Sequence, residues 1–289
     1  MNNYTGRLIG IITDIHGLFE PTRACLEDMK RRGITEIYSL GDNVGVGPSP
    51  DKVIDILNEY NVKSIAGNNE DYITLGIEPF RSFFTSSKEE SLNYTISKLN
   101  SYELGVINLY PHFIDIVVGG KLISLCHFAN DVRCDFNINS TWTYQLGRKD
   151  AYKQFLYTNS DEQKQEIIRE INYLGKYSKE AKGYVSTLNE PLFNGKKVTD
   201  YDFIFQGHVH FEIVEKGKNT LFYTLRALGM GYDKEPIDTA YYLILKEKNR
   251  GFDIEKVLVK YNRKYLEEEI NNSDGPMDTI KDFVHMRWI

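Results

Sequence analysis

The feature that most restricts the folds open to this chain is an alternation in its first seventy residues. Three short apolar runs, at residues 8–13, 36–40 and 62–66, are separated by segments of helical length. The first run is apolar almost throughout, as expected of a strand covered on both faces. Pro21 opens a stretch in which Cys25, Leu26 and Met29 share one side, and Gly33 stops it. The second segment, 51–60, places Val53, Ile54 and Leu57 together, with Asp51 near its start. Strand, helix, strand, helix, strand in this order predicts a parallel sheet with right-handed crossovers.

The rest of the chain has a different rhythm. Residues 88–100 read as a helix entered through a capping box, Ser87 to Glu90. Runs at 113–118 and 122–126 flank Gly119-Gly120, a hairpin signal. Further strands are expected at 202–206, 213–214, 221–225, 241–245 and 252–259, forming an antiparallel second sheet. Between them, about 128–201, the pattern is mainly helical, clearest at 161–174 with Ile167, Ile168, Ile171 and Leu174 on one side. The expected organisation is one domain over 1–270 that includes this insertion, followed by a tail, 271–289. Phe283, Met286, Trp288 and Ile289 in the tail are expected to dock on the body or on a partner.

Composition narrows the functions. With 41% hydrophobic and 26% charged residues among 289, the chain can build a sizeable core. A net charge of −6 disfavours a general nucleic-acid or membrane-surface binder. Three cysteines without a Cys-x-x-Cys pair argue against a disulfide scaffold and fit a reducing, cytoplasmic setting. No apolar run approaches about 18 residues, and the opening apolar stretch is too short for a signal peptide, so no membrane association is expected.

Four of the apolar runs end in a Gly-containing turn rich in possible metal ligands. These are Thr13-Asp14-Ile15-His16-Gly17, Gly41-Asp42-Asn43-Val44-Gly45, Gly67-Asn68-Asn69-Glu70 and Gly207-His208-Val209-His210; Cys126-His127 ends a fifth run without an adjacent Gly. Singly, each is more often a plain turn or a buried histidine. In extended chain, residues two apart face one way, so Asp14/His16 and His208/His210 each aim two ligands at one side. The carboxyl ends of neighbouring strands are where open α/β sheets place their sites. Asp14, His16, Asp42, Asn68, His127, His208 and His210 together offer oxygens and imidazoles. That mixture suits Mn, Fe or Zn, with Mn favoured, better than Ca or Mg. Seven donors exceed the needs of one ion and suit two sharing a carboxylate, an arrangement that clamps the attacking and leaving oxygens of phosphoryl transfer.

In their order, the five blocks resemble the calcineurin-like metallophosphoesterases, and the stretch from Gly41 to Pro50 looks most like the bacterial and archaeal small-phosphodiesterase branch. The resemblance implies a four-layer α/β/β/α sandwich. It implies one metal on Asp14, His16 and His210, another on Asn68, His127 and His208, Asp42 bridging, and a metal-bridging hydroxide as nucleophile. Many members have a His after the Gly-Asn of the third block, where it helps protonate the leaving group; here Asn69 stands there. A neutral amide can hydrogen-bond a substrate oxygen but is no acid near neutral pH. Gly67-Asn-Asn-Glu-Asp71 also looks similar to an asymmetric dinucleoside-tetraphosphate hydrolase branch. The expected activity is hydrolysis of a small phosphodiester or nucleoside polyphosphate, with Asn69 and Asp42 at the reacting centre. Asn43 and Glu70 are expected behind the ligands or against substrate. The alternative is a non-catalytic metal- or nucleotide-binding scaffold; a protein serine/threonine phosphatase is disfavoured by Asn69. His112, His285 and Cys126 are expected to be structural. Arg133, Arg148, Lys149 and Arg226 could meet phosphate, although most are expected on the surface.

Overall fold

A computed structural model of the chain describes residues 4–78, 81, 84–127, 200–208, 210, 212–216, 220–229 and 238–276. The expected insertion, apart from its last two residues, and all but the first six residues of the expected tail lie outside the described residues.

The first sheet has the order β10-β9-β1-β2-β3. Its strands are β1 (Tyr4–Ile12), β2 (Glu36–Ser39), β3 (Lys63–Ser64), β9 (Thr239–Lys248) and β10 (Phe252–Lys260). The strands β1, β2 and β3 pair in parallel through α1 (Phe19–Arg31) and α2 (Pro50–Glu59), as the alternation predicts. The second sheet has the order β4-β5-β6-β8-β7, from β4 (Phe113–Val118), β5 (Lys121–Cys126), β6 (Phe203–Gln206), β7 (Ile213–Lys216) and β8 (Leu221–Thr224).

This corrects the expected antiparallel second sheet in two ways. The second sheet is mixed, because β6 pairs in parallel with both β5 and β8. The strands β9 and β10 instead complete the first sheet, β9 running antiparallel to β1. The burial of β9 explains its place. Tyr242 and Ile244 face the helices, whereas Tyr241, Leu243 and Leu245 face the other sheet, so both sides need cover. β1 divides likewise, with Ile12 on the helical side and Ile9 and Ile11 between the sheets. Gly10 lies against the helical layer, where an added Cβ would stand 2.7 Å from Met29 Sδ. The β4–β5 hairpin forms as read, with Gly119 and Gly120 at φ 56° and 76°, the signs of a type I′ turn.

Among the described residues three further helices occur: α3 (Asn68–Leu75), α4 (Ser86–Lys98) and α5 (Ser101–Asn108), and α6 (Arg263–Asn271) makes a fourth beyond α1 and α2. The helix α4 is capped by Thr85, whose side chain accepts from Lys88 N, and not by the box at Ser87. Residues of α1, α2 and α6 join β9 and β10 in one apolar cluster, while Ile9, Ile11, Tyr38, Leu125, Phe205 and Leu243 help form the core between sheets. Each fully buried side chain of this size stabilises the fold by roughly 1.5–3 kcal/mol. The consequence for function is positional. The carboxyl ends of β1, β2, β3, β5 and β6 all open onto one end of the sandwich. No described helix is long and apolar enough to cross a membrane.

Candidate metal centre

The backbone, more than strand alternation, turns the ligands inward. Among the described residues, seven non-glycine positions have positive φ, and five of them are Asp14, His16, Asp42, His208 and His210. Left-handed backbone costs about 1–2 kcal/mol per L-residue and gathers where surrounding structure over-determines it. Asp14/His16 and His208/His210 are therefore not in the extended chain expected of them, because β1 and β6 have already ended. The turn after β1 is fastened to the turn after β2 by Asp14 N–H to Gly41 O (3.0 Å), His16 N–H to Asp42 O (2.8 Å) and Gly17 N–H to Asn43 O (2.8 Å). Close approach fixes two glycines. A Cβ on Gly207 would lie 2.0 Å from Thr13 Oγ1, and one on Gly67 2.3 Å from Asp42 Oδ1.

The side chains form two groups that share Asp42: Asp14, His16, Asp42 and His210, and Asp42, His127 and His208. In the first, His16 Nε2 faces His210 Nε2 at 3.0 Å, and His210 Nε2 lies 3.4 Å from Asp14 Oδ1. In the second, His127 Nε2 is 3.4 Å from Asp42 Oδ2. Asn68 Oδ1 joins this second group, 3.2 Å from His127 Nε2 and 2.9 Å from His208 Nδ1. All seven sequence-predicted ligands are thus brought to one place, and Asp14, His16, Asp42 and His127 are buried there.

The supporting contacts orient this set. His127 Nδ1 stands 2.8 Å from Leu40 O, a position to donate, so that the ring, once neutral, would turn the Nε2 lone pair toward the cluster. The Asp14 carboxylate accepts from Thr13 Oγ1 (2.8 Å) and from His208 N–H (3.0 Å). The Asn69 main-chain N–H and side-chain amide both donate to Asp42, at 2.8 and 2.7 Å, so the Asn69 side chain lies on the shared carboxylate. Glu70 is fully buried and accepts from the N–H groups of Asp42 (2.9 Å), Asn43 (2.8 Å), Val44 (3.3 Å) and Gly67 (2.7 Å). It ties the turn after β2 to the start of α3, and its bond to Gly67 is the returning half of a capping box. Asn43 is buried with its Oδ1 bonded to Ser39 Oγ.

Electrostatics make the cluster a cation site. Among the described residues, the ion pairs of Asp14 and Asp42 are all to imidazoles. Burial pushes His16 down to about 4, and burial with His127 nearby pushes His208 to about 3, so both rings are neutral donors. Burial alone would lower His127 and raise Asp42, but their mutual attraction prevails: His127 rises to about 9 and Asp42 is lowered. Burial and the Asp42 charge lift Glu70 to about 7. Two buried carboxylates, neutral imidazoles and an amide oxygen fit divalent transition metals, whose charge would replace the proton that His127 otherwise holds.

Some features were not anticipated. The helix α3 starts on the candidate ligand Asn68 itself, a start that Gly67 followed three residues later by Glu70 could have signalled. His112, expected to be structural, lies with Nε2 2.8 Å from Asp71 Oδ1. Arg226 is buried over the Tyr241 ring, 4.7 Å from its centroid, and is not at the surface. Cys126 is buried, as expected of a core residue. Arg133, Arg148, Lys149 and His285 lie outside the described residues.

The family model for calcineurin-like phosphoesterases matches residues 7–212. An uncharacterised protein of Methanocaldococcus jannaschii is 26% identical over 276 residues, which cover 91% of each chain. A hypothetical protein of Pyrococcus horikoshii is similar in structure, with a TM-score of 0.62 and 16% identity, covering 95% of this chain and 96% of that one. A metallophosphoesterase of Sphaerobacter thermophilus has a TM-score of 0.57 at 16% identity, covering 95% and 97%. These two likenesses are of fold.

Proposed function

The chain belongs to the calcineurin-like phosphoesterases, and from that premise we propose that it is a cytoplasmic, dimetal enzyme hydrolysing a small phosphodiester or a nucleoside polyphosphate. The observation that carries this reading is the pair of donor groups sharing Asp42. Asp14, His16 and His210 would hold one ion, Asn68, His127 and His208 the other, and Asp42 both. Mn is favoured, with Fe or Zn as alternatives, because the donors are oxygen and imidazole without thiolate. Such ions supply Lewis acidity toward phosphoryl oxygens and acidify water enough for it to attack near neutral pH.

The protein's own contribution is preorganisation. Left-handed turns and the bonds between them hold the ligands before any ion arrives. Asn69 fixes the Asp42 carboxylate plane by two donated bonds, and Glu70 fixes the turn that carries it. Burial of Asp14 and Asp42 strengthens the field seen by an anionic substrate once cations are bound. A locally positive pocket then forms on a chain of net charge −6.

The test is Mn²⁺-dependent hydrolysis of bis-p-nitrophenyl phosphate, followed by a panel of cyclic nucleotides and dinucleoside polyphosphates. Asp42→Asn and His208→Ala should each lower turnover by about 10³-fold or more while the protein stays folded. Wild-type turnover in either variant would remove the assigned centre. Tight metal binding without hydrolysis of any phosphoester in the panel would favour the scaffold alternative. Elemental analysis of the purified protein identifies the metal.

A further inference from the structure

The reaction just proposed has a requirement that the seven ligands do not meet. When the P–O bond breaks, the leaving oxygen takes the bonding pair, and an alkoxide leaves slowly unless a proton arrives with it. Metal-ligating imidazoles have no proton to give there, and Asn69 is a neutral amide bonded to Asp42. The side chain placed to supply one is His112.

Three observations place it. First, β4 and β5 pair in register up to Phe113 opposite Cys126, so His112 and His127 are the next positions outward on adjacent strands. Second, Asn68 and Asp71 are three apart on α3 and share a side of the helix. Asn68 Oδ1 meets His127, and Asp71 Oδ1 meets His112 Nε2 at 2.8 Å, so two helix-to-sheet contacts run side by side. Third, Ala66 N–H bonds to Pro111 O at 2.8 Å, which pins the residue before His112 against the end of β3, just ahead of the Gly67-Asn68 turn. His112 is thus seated beside the second donor group. Its side chain is 40% exposed where Asp71 is nearly buried, so one face of the ring is fixed and the other is open.

We propose that His112 protonates the leaving oxygen of the substrate, with Asp71 as the positioning residue that holds its ring. This rests on the reading of the cluster as a phosphoesterase centre. The contact with Asp71 occupies Nε2, so Nδ1 is the nitrogen that donates. The step balances. An activated water forms the new P–O bond, the bond to the leaving group breaks with its electron pair going to the leaving oxygen, and that oxygen takes the proton from the His112 imidazolium. The neutral ring then regains a proton from bulk water, matching the one lost by the attacking water. The substrate class sharpens accordingly. The centre is equipped for diesters whose leaving group is an aliphatic alcohol, such as a ribose hydroxyl, and not only for activated phenols.

The test is a leaving-group series on the Mn²⁺-loaded protein: bis-p-nitrophenyl phosphate, its phenyl counterpart, and a cyclic nucleotide with an alkoxide leaving group. In His112→Gln and in Asp71→Asn, kcat should fall by less than about tenfold on the nitrophenyl ester and by about 10²-fold or more on the cyclic nucleotide, with KM nearly constant. Elemental analysis should find both variants with the metal content of wild type, and thermal melts should find them folded. Equal losses along the series, or loss of metal, would make the pair a structural brace and overturn the proposal. If His112→Gln does not fold, Asp71→Asn carries the same comparison. A wild-type protein inactive on the whole series would instead overturn the phosphoesterase reading itself.

Discussion

At one end of the sandwich Arg7 closes a cluster of charge. Its guanidinium donates to both Glu36 oxygens, at 2.8 and 2.9 Å, and to Val117 O at 2.7 Å, and lies 4.0 Å from Glu247. Glu247 in turn accepts from Gly119 N–H at 2.7 Å. At the other end, seven residues further along β1 and its turn, Asp14 and Asp42 are buried more deeply, and among the described residues their ion pairs are all to imidazoles. The same two sheets are bridged by carboxylates at both ends, but among the described residues the cation is a permanent guanidinium at one and the titratable imidazole of His127 at the other. The difference teaches where charge can be exchanged: an imidazolium can give up its proton to a bound cation near neutral pH, and a guanidinium cannot.

The strongest way to break this comparison is to remove metal. Treatment with a chelator should abolish hydrolysis, and Mn²⁺ restored to about 100 times its Kd should raise stability by about 2.7 kcal/mol. The Arg7 end predicts no such response, so the stabilisation should vanish in Asp42→Asn and persist in a variant of Arg7. A thermal melt of wild type that ignores Mn²⁺ would break the comparison.

Acidity distinguishes the ends next. In the metal-free protein His16 and His208 are held at about 4 and about 3, below their unfolded value of 6.5. Below pH 6.5 the unfolded chain therefore binds more protons, and stability should fall as pH drops from 6.5 toward 4, by up to about 1.4 kcal/mol per imidazole per pH unit. His127 works in the opposite sense. Its value of about 9 means that its contribution is complete below 6.5 and is lost as pH rises to 9. Denaturant titrations of metal-free protein should thus find greatest stability near pH 6.5. In addition, metal binding between pH 7 and 8 should release a proton from His127, measurable by calorimetry in buffers of different ionisation enthalpy.

Much of this was legible in residue order. The strands β1 to β3 and the hairpin of β4 and β5 follow from apolar runs and glycines, and the ligand types follow from what stands after those runs. The second sheet was not, because β6 and β8 are too short for their pairing partners to be read locally. Likewise, β9 belongs to the first sheet only because both its faces find cover there. The ligand convergence was foreseen for an incomplete reason. Alternation along a strand cannot disclose left-handed backbone at Asp14, His16 and Asp42, since the mild tolerance of Asp and His for it does not single out these positions, where bonds between the turns impose it. The contacts of Glu70 and His112 were not legible for the same cause: their partners are distant in sequence or lie on a helix, α3, that was not anticipated.

Glu70 allows the metal end to be weakened without touching a ligand. In Glu70→Gln the side chain offers one acceptor oxygen where the carboxylate meets four N–H groups. Metal affinity should fall about 10–100-fold, with a stability loss of about 1–3 kcal/mol as buried N–H groups go unpaired. Equilibrium dialysis against Mn²⁺ checks the first figure and urea unfolding the second. Unchanged metal affinity would mean that the turn after β2 keeps its shape without this clamp.

The smallest effect is expected at the Arg7 end, and it tests whether the two ends are independent. Arg7 is about one-third exposed, so its pairing with Glu36 is screened by water and contributes about 1 kcal/mol, despite its two-point contact. Arg7→Met keeps the apolar stem over the sheet edge and removes the charge, leaving Glu36 with Tyr38 and Lys63 as partners. The melting temperature should fall by about 2–4 °C, while kcat, KM and the stabilisation by Mn²⁺ stay at their wild-type values. The reason is distance: the ligand turns begin after Ile12, five residues at about 3.3 Å each from Arg7, well beyond a Debye length at ordinary salt. A change in Mn²⁺ affinity with the fold intact would show strain passing along β1 from one charge cluster to the other, and the two ends would then have to be treated as one coupled system.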